Sequence, residues 1–311
     1  MIVSIVRIGQ EFCDLIERQT GEKVIVFNSE KEALGSLADA EILISWGRLG
    51  KDTLNACKNL KWLFSFSAGV EGLPFDLLAE KGVIVTNNRG IHGPQVAEHA
   101  IGYMIMFSRK LHRMIRNQLQ RKWERIELNE LMGKTLCIVG SGSIGKAVAR
   151  RAKAFDMKVI GLKKHVETLE YFDAVWDMGR LHEALEQADY TILLTPLTPE
   201  TRHMIGRTEF KAMKPTSVFI NLSRGDTVDE EALIEALNSG VISGAGLDVF
   251  HEEPLPESNP LWGMENVIIT PHNAGQSVNY IPRSMELFLE SLSCYRQGQP
   301  IPNRIDLKKQ Y

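Results

Sequence analysis

No apolar run in this 311-residue sequence approaches the roughly 18 residues that a membrane-spanning helix needs. The start, MIVSIVRIGQEF, holds only a short apolar run broken by Arg7, and reads as a first strand, not a signal peptide. Charge of one sign is also missing. The 36 basic and 39 acidic residues nearly cancel to a formal −3, with no long run of either sign, so neither nucleic acid nor a membrane is expected as a partner. Cysteine is sparse: Cys13, Cys57, Cys137 and Cys294 lack the paired spacing of a zinc or redox site. No metal centre is expected, and unpaired thiols fit a cytoplasmic protein. Internal repeats and low-complexity segments are absent.

What remains is ordinary globular material, 44% hydrophobic and 24% charged, in a chain long enough for two domains. Its first third alternates short apolar runs with helical patterns. Strands are expected at Ile2–Val6, Val24–Phe27, Ile42–Ser45, Trp62–Phe66 and Val83–Thr86, with helical spacing at Glu11–Gln19 and Thr53–Lys58 between them. From about Pro94 to Trp123 the pattern reads as one long helix without internal proline, of the kind that bridges domains or lies in a dimer interface. A second alternating series then offers strands at Leu136–Val139, Lys158–Leu162, Ala174–Trp176, Tyr190–Leu194, Val218–Asn221, Gly244–Asp248 and Val267–Thr270. A final amphipathic helix over Ser277–Gln297 is expected to return to the first domain. Strands alternating with helices imply α/β architecture with two doubly wound parallel sheets. The expected division is a Rossmann nucleotide-binding domain over 96–277, inserted in a flavodoxin-like substrate domain built from 1–95 and 278–311.

Residues 136–145 read LCIVGSGSIG, an apolar strand followed by Gly140, Gly142 and Gly145 and then a helix. Gly140 permits a tight turn, Gly142 lets a pyrophosphate approach the backbone, and Gly145 lets the helix pack close to the strand. The amides of Ser143 and Ile144 open the helix, where unpaired N–H groups and a partial positive charge favour phosphate. Three glycines at this spacing are weak evidence alone; the strand before them and the helix after them make a dinucleotide site. The next strand ends at Leu162, where an acidic residue would grip the ribose 2′-hydroxyl of NAD. Lys163, Lys164 and His165 stand there instead, and a basic cluster suits a 2′-phosphate, so NADP is favoured over NAD. The bland alternative is a solvated basic loop.

Three further segments each close a strand: INLSRG with Arg224, GLDVFHEEP with Asp248 and Glu253, and VIITPH with His272. Ligands of open α/β sheets bind at such ends. Reducing a 2-keto acid takes a hydride to carbon and a proton to oxygen. Histidine titrates near neutral pH and suits the proton, a neighbouring carboxylate favours the charged imidazole, and a guanidinium clamps a carboxylate in two hydrogen bonds. Singly, each has a bland reading: a surface ion pair, a loop start, a structural cap.

Beyond these positions, the chain resembles the D-isomer-specific 2-hydroxyacid dehydrogenases over essentially its whole length. The resemblance is densest from Gly133 to Gly275, in GSGSIG, TPLTPETRHMIG (195–206), MKPTSVFINLSRGDTVDEEALIEAL (213–237), GLDVFHEEPLP and TPHNAG. It implies that Arg224 binds the substrate carboxylate, His272 donates the proton and Glu253, directly before its proline, supports His272. It implies that Asp248 positions the nicotinamide carboxamide and that Thr195, Pro196, Leu197, Leu222, Ser223 and Gly275 line the cofactor cleft between domains. In FSAGVEG (66–72), the amides of Ala68, Gly69 and Val70 face the substrate carboxylate, and Trp46 matches a position that shapes the pocket in short-substrate members. His251 and Glu252 lie close enough to Glu253 to be mistaken for it; His92 and His99 are read as structural.

Formate dehydrogenases carry glutamine where this chain has Glu253, so a His–Glu pair favours protonating a carbonyl. The closest resemblance is to the glyoxylate/hydroxypyruvate reductases, which implies a small 2-keto acid substrate, a D-2-hydroxy acid product and a homodimer. A short phosphoglycerate dehydrogenase is the alternative enzyme, since no residues after about 305 are left for the regulatory domain such enzymes often add. A nucleotide-sensing co-repressor on the same fold is the alternative of another class, which the intact Arg224, Glu253 and His272 set argues against.

Overall fold

The computed structural model describes residues 1–308. It divides into two compact units, one formed by Met1–Ile91 with the chain from Ser277 onward, the other by His92–Gln276. The first division falls before Gly93 and not after residue 95, because a helix begins at Gly93, where a Cβ would lie 3.3 Å from Cβ of Ala147 in the second unit.

The first unit orders its elements as β1 (Ile2–Ser4), α1 (Gln10–Thr20), β2 (Val24–Val26), α2 (Glu30–Ala33), β3 (Ile42–Ser45), α3 (Lys51–Ala56), β4 (Trp62–Ser65), α4 (Phe75–Glu80) and β5 (Ile84–Asn87). The parallel sheet runs β2-β1-β3-β4-β5, the flavodoxin-like order. Alternate side chains enter two cores, Val3, Leu43 and Leu63 on one face and Ile2, Ile44, Trp62 and Phe64 on the other. The chain's last helix covers that second face: Phe288 stacks on Trp62 with ring centroids 5.3 Å apart.

In the second unit, α5 (Gly93–Ser108) and α6 (Leu111–Leu119) precede β6 (Thr135–Val139), α7 (Ser143–Lys153), β7 (Lys158–Leu162), β8 (Ala174–Trp176), α8 (Leu181–Gln187) and β9 (Tyr190–Leu193). There follow α9 (Arg207–Ala212), β10 (Val218–Asn221), α10 (Glu230–Asn238), β11 (Gly244–Leu247) and β12 (Val267–Ile269); α11 (Tyr280–Arg296) then belongs to the first unit. The parallel sheet runs β12-β11-β10-β9-β6-β7-β8, which is the Rossmann order with one further strand. Its strand order reverses between β6 and β9.

The single helix expected over 94–123 is two. Lys110 takes a left-handed backbone at φ 50° between α5 and α6. Competing donors explain the break. The Ser108 carbonyl, which residue 112 would claim in a continuous helix, accepts from the Asn129 amide at 2.9 Å. The Met106 carbonyl accepts from His112 Nδ1 at 3.0 Å, so the backbone ladder is interrupted on both sides of Lys110. Among the described residues, no helix is long and apolar enough to cross a membrane.

Candidate active site

The glycine turn occupies one side of the reversal point. Gly140 adopts φ 101°, and a Cβ there would meet the Leu194 carbonyl carbon at 2.9 Å and the Thr195 nitrogen at 3.0 Å. Only glycine therefore lets the β6 turn rest against the segment leaving β9, which carries Thr195, Pro196 and Leu197. Gly145 is needed for a different approach: its Cβ would lie 2.9 Å from the Gly140 carbonyl oxygen, where α7 packs on the turn. Gly142 has nothing within 4 Å of its Cβ direction. That open space borders the first turn of α7, where the amides of Ser143, Ile144 and Gly145 have no acceptor within the helix. Bare backbone, free amides and a positive helix end fit the pyrophosphate of a nicotinamide dinucleotide.

Leu222 and Ser223 follow β10, the next strand along. The Leu222 amide donates to the Leu193 carbonyl at 3.2 Å, and Ser223 donates its amide and hydroxyl to Asn221 Oδ1 at 3.0 and 2.8 Å. The Gly275 carbonyl accepts from Gln95 Nε2 at 3.1 Å, tying it to the start of α5. At the far end of β7, Lys164 and His165 are exposed, whereas Lys163 donates its amide to the Trp176 carbonyl and its ammonium to the carboxylate of Glu167. The Lys163 ammonium holds the Glu167 carboxyl below the usual range. Thus the basic cluster read from the sequence contains a built-in anion.

The three chemical groups leave the ends of adjacent strands: Arg224 after β10, Asp248 after β11 and His272 after β12. The Arg224 carbonyl accepts from Thr227 Oγ1 at 2.6 Å and Asn221 Nδ2 at 3.1 Å, and its guanidinium donates to the Ser223 carbonyl at 2.8 Å. A Cβ on Gly225 would lie 1.9 Å from the Phe250 carbonyl carbon. Glycine at 225 thus lets the Arg224 loop press against the loop carrying Glu253. There, Glu253 Oε1 accepts the Phe250 amide at 3.0 Å and Oε2 lies 2.6 Å from His272 Nδ1. His251, by contrast, pairs with Asp226 through Nδ1 at 2.5 Å, so Glu253 and not His251 is the partner of His272.

His272 has φ 53°, a left-handed conformation rare outside glycine. Its amide donates to the Asp248 carbonyl at 2.8 Å. The Asp248 carboxylate, 2% exposed, accepts from Thr270 Oγ1 at 2.5 Å, the Asn273 amide at 2.8 Å and the Ala274 amide at 2.9 Å. Asp248 is therefore the hub around which residues 270–274 fold. The sequence reading passed over Thr270, and also Tyr103, whose hydroxyl lies 2.6 Å from Thr270 Oγ1. A threonine two residues before a candidate histidine, on the same strand end, was the available signal.

In the first unit, the Ala68–Val70 loop is held through its carbonyls. Asn87 Nδ2 donates to Ala68 at 2.7 Å, Asn88 Nδ2 to Phe66 at 2.8 Å, and the Leu73 amide to Val70 at 3.0 Å. The first of these bonds fixes the Ala68–Gly69 peptide plane, which carries the Gly69 amide, and the last fixes the Val70–Glu71 plane. Gly47 allows the close approach, since a Cβ would lie 2.0 Å from the Gly69 carbonyl oxygen. Trp46 beside it is 47% exposed, edge-on to Phe66, and so is not a core aromatic.

Residues 101–274 match the family model of the NAD-binding domain of D-isomer-specific 2-hydroxyacid dehydrogenases. The chain belongs to that family. It is 33% identical to a glyoxylate reductase of Korarchaeum cryptofilum, over 89% of this chain and 86% of that protein. Among solved structures, a D-isomer-specific 2-hydroxyacid dehydrogenase family protein from Aeromonas salmonicida superposes with a TM-score of 0.89 at 31% identity, covering 98% of both chains. An NADPH-dependent glyoxylate/hydroxypyruvate reductase from Sinorhizobium meliloti, solved with NADP and sulfate, gives a TM-score of 0.84 at 25% identity, covering 100% of this chain and 99% of that one. The dehydrogenase is accordingly an oxidoreductase that exchanges hydride between a nicotinamide dinucleotide and a 2-hydroxy or 2-keto acid.

Proposed function

We propose that this dehydrogenase reduces glyoxylate, hydroxypyruvate or a similarly small 2-keto acid to the D-2-hydroxy acid, with NADPH preferred over NADH. The observation that carries this reading is the 2.6 Å contact between His272 Nδ1 and Glu253 Oε2. A carboxylate accepts only, so Nδ1 bears a proton and the ring presents Nε2 to substrate. Protonated on both nitrogens, His272 gives the Nε2 proton to the keto oxygen, while Glu253 holds the ring in place. Arg224 clamps the substrate carboxylate and draws electron density toward the carbonyl oxygen. When bound, NAD(P)H supplies the hydride for the keto carbon. Asp248 and Gly275 orient the nicotinamide end; Gly140, Gly142, Ser143, Ile144 and Gly145 hold the pyrophosphate; Thr195, Pro196, Leu197, Leu222 and Ser223 flank it.

Trp46 limits the length of substrate, in keeping with two- and three-carbon acids. Lys163 and Lys164 are the groups for a 2′-phosphate, and the structure of the Sinorhizobium meliloti enzyme with NADP supports that preference. A homodimer is supported by α6, on which Leu111, Ile115 and Leu119 are exposed, with Trp123 just beyond. Free thiols fit a cytoplasmic setting. The deciding experiment measures kcat/KM for a panel of 2-keto acids with each reduced cofactor. Highest efficiency with a two- or three-carbon acid and NADPH is expected; turnover confined to longer acids, or NADH equal to NADPH, would overturn the corresponding half of the reading.

A further inference from the structure

We propose that Tyr103, His99 and Thr270 are positioning residues that fix the backbone of His272 by acting through Asp248. The inference rests on His272 being the proton donor, and it assigns a role to three side chains outside the reacting set.

Proton accounting sets the direction of the chain. Asp248 is a buried carboxylate and can only accept, so the hydroxyl proton of Thr270, 2.5 Å away, points at Oδ1. Thr270 Oγ1 must then accept from its other neighbours, the Tyr103 hydroxyl at 2.6 Å and His99 Nε2 at 3.1 Å. Two lone pairs facing each other at these distances would repel, so Tyr103 directs its proton to Thr270 and His99 carries its proton on Nε2. The Leu247 carbonyl, 3.0 Å from the Tyr103 hydroxyl, is its secondary acceptor. Burial keeps Tyr103 protonated and His99 neutral, pushing the phenol's pKa up and the imidazole's down. The Tyr103 and His99 protons therefore converge on Thr270 Oγ1, and the Thr270 proton on the Asp248 carboxylate, which also organises the Asn273 and Ala274 amides. The carbonyl of the same residue takes the His272 amide.

The fold makes room for this arrangement. A Cβ on Gly246 would lie 2.8 Å from the Tyr103 ring, and one on Gly244 would lie 2.8 Å from Phe107 Cε1. Glycine at alternate positions of β11 thus lets α5 lie flat on the strand that ends in Asp248. The His99 ring then packs edge-on to Tyr103, with centroids 4.7 Å apart. His272 needs such support because its backbone is left-handed. A catalytic group shifted by about 1 Å loses up to roughly 100-fold in rate.

The test compares Thr270→Val, Thr270→Ser, Tyr103→Phe and His272→Ala in steady-state reduction of glyoxylate or hydroxypyruvate. Thr270→Val keeps the shape and loses the donor; it should lower kcat by about 10-fold or more with KM for the keto acid within about twofold, and Thr270→Ser should recover most of the loss. Tyr103→Phe, which removes a single oxygen, should lower kcat in the same sense and serves if the valine variant does not fold. Valine and serine variants equally impaired would show that the threonine methyl, not its hydrogen bond, matters, and would sink the proposal. So would Thr270→Val and Tyr103→Phe at parental kcat beside an inactive His272→Ala. If His272→Ala stays active, the reading of His272 as donor falls, and the positioning role with it.

Discussion

His272 and Glu253 share one short contact, and Glu253 keeps its second oxygen on the Phe250 amide. The carboxylate is thus anchored at one end and faces the imidazole at the other. Replacing His272 with alanine should cut turnover of the preferred keto acid by at least roughly 100-fold, the lower range for a positioned acid–base group. Glu253→Gln keeps the anchor and loses the charge. A hydrogen bond to a charged group contributes about 1.5–3 kcal/mol, so kcat should fall roughly 10- to 100-fold with little change in fold. Stopped-flow measurement of reduced-cofactor oxidation checks both, and parental rates in either variant would contradict the assigned role.

The three glycines of the turn should separate in their effects. Gly140→Ala and Gly145→Ala each place a Cβ 2.9 Å from backbone atoms, and at Gly140 the φ of 101° adds strain. Both should destabilise the nucleotide unit by about 1–3 kcal/mol as well as weaken cofactor binding. Gly142→Ala meets nothing within 4 Å, so the melting temperature should hold while affinity for the cofactor drops. A calorimetric melt paired with cofactor titration distinguishes the two patterns.

Cofactor preference should respond to Glu167 as well as to the lysines. Lys163→Ala should raise KM for NADPH and leave KM for NADH nearly unchanged. Glu167→Gln frees the Lys163 ammonium and should act in the opposite direction on NADPH. The pair lies at the surface and is screened by solvent, so a change of no more than roughly fivefold is expected. Equal shifts for both cofactors would show that this loop does not read the 2′ position.

Acid should weaken the fold through His99. Burial lowers its pKa below the ordinary value of about 6.5, so the unfolded chain takes up this proton before the folded one does. Stability from the neutral ring is therefore complete above about pH 6.5, declines as pH falls below that value, and is fully lost below the depressed folded pKa. His99→Gln keeps a donor and removes the titration. Its melting temperature should drop less between pH 7.5 and pH 5.5 than that of the parent, and an unchanged drop would assign the acid sensitivity elsewhere.

Much of this was legible in the residues. Buried parallel strands appear as short apolar runs, and β3, β7, β8 and β10 fall where those runs are. The glycine spacing located the tight turn between β6 and α7 because backbone clearance is a property of glycine itself. Of the shortest helices α3 was legible, displaced by two residues, while α2, α4 and α9 were not, because four to six residues carry little helical period. The break at Lys110 was invisible because its cause, the Asn129 amide on the Ser108 carbonyl, comes from 21 residues downstream. Likewise the Tyr103–Thr270 contact joins positions 167 residues apart, and Glu167 neutralises Lys163 only once the loop is folded.

The placement of α11 has a consequence for the order in which the chain can mature. Trp62 emerges from the ribosome early, yet the ring that stacks on it, Phe288, follows the whole of the nucleotide unit. At about 5–20 residues per second, the first sheet waits some 10–40 seconds with that apolar face covered by α1 but not yet by α11. The inserted unit, being continuous, can close its own core in that interval. A nascent chain stalled once Gln276 has cleared the ribosome, with α11 still inside it, should therefore protect the nucleotide unit from protease while Trp62 and Phe64 remain open to chaperones.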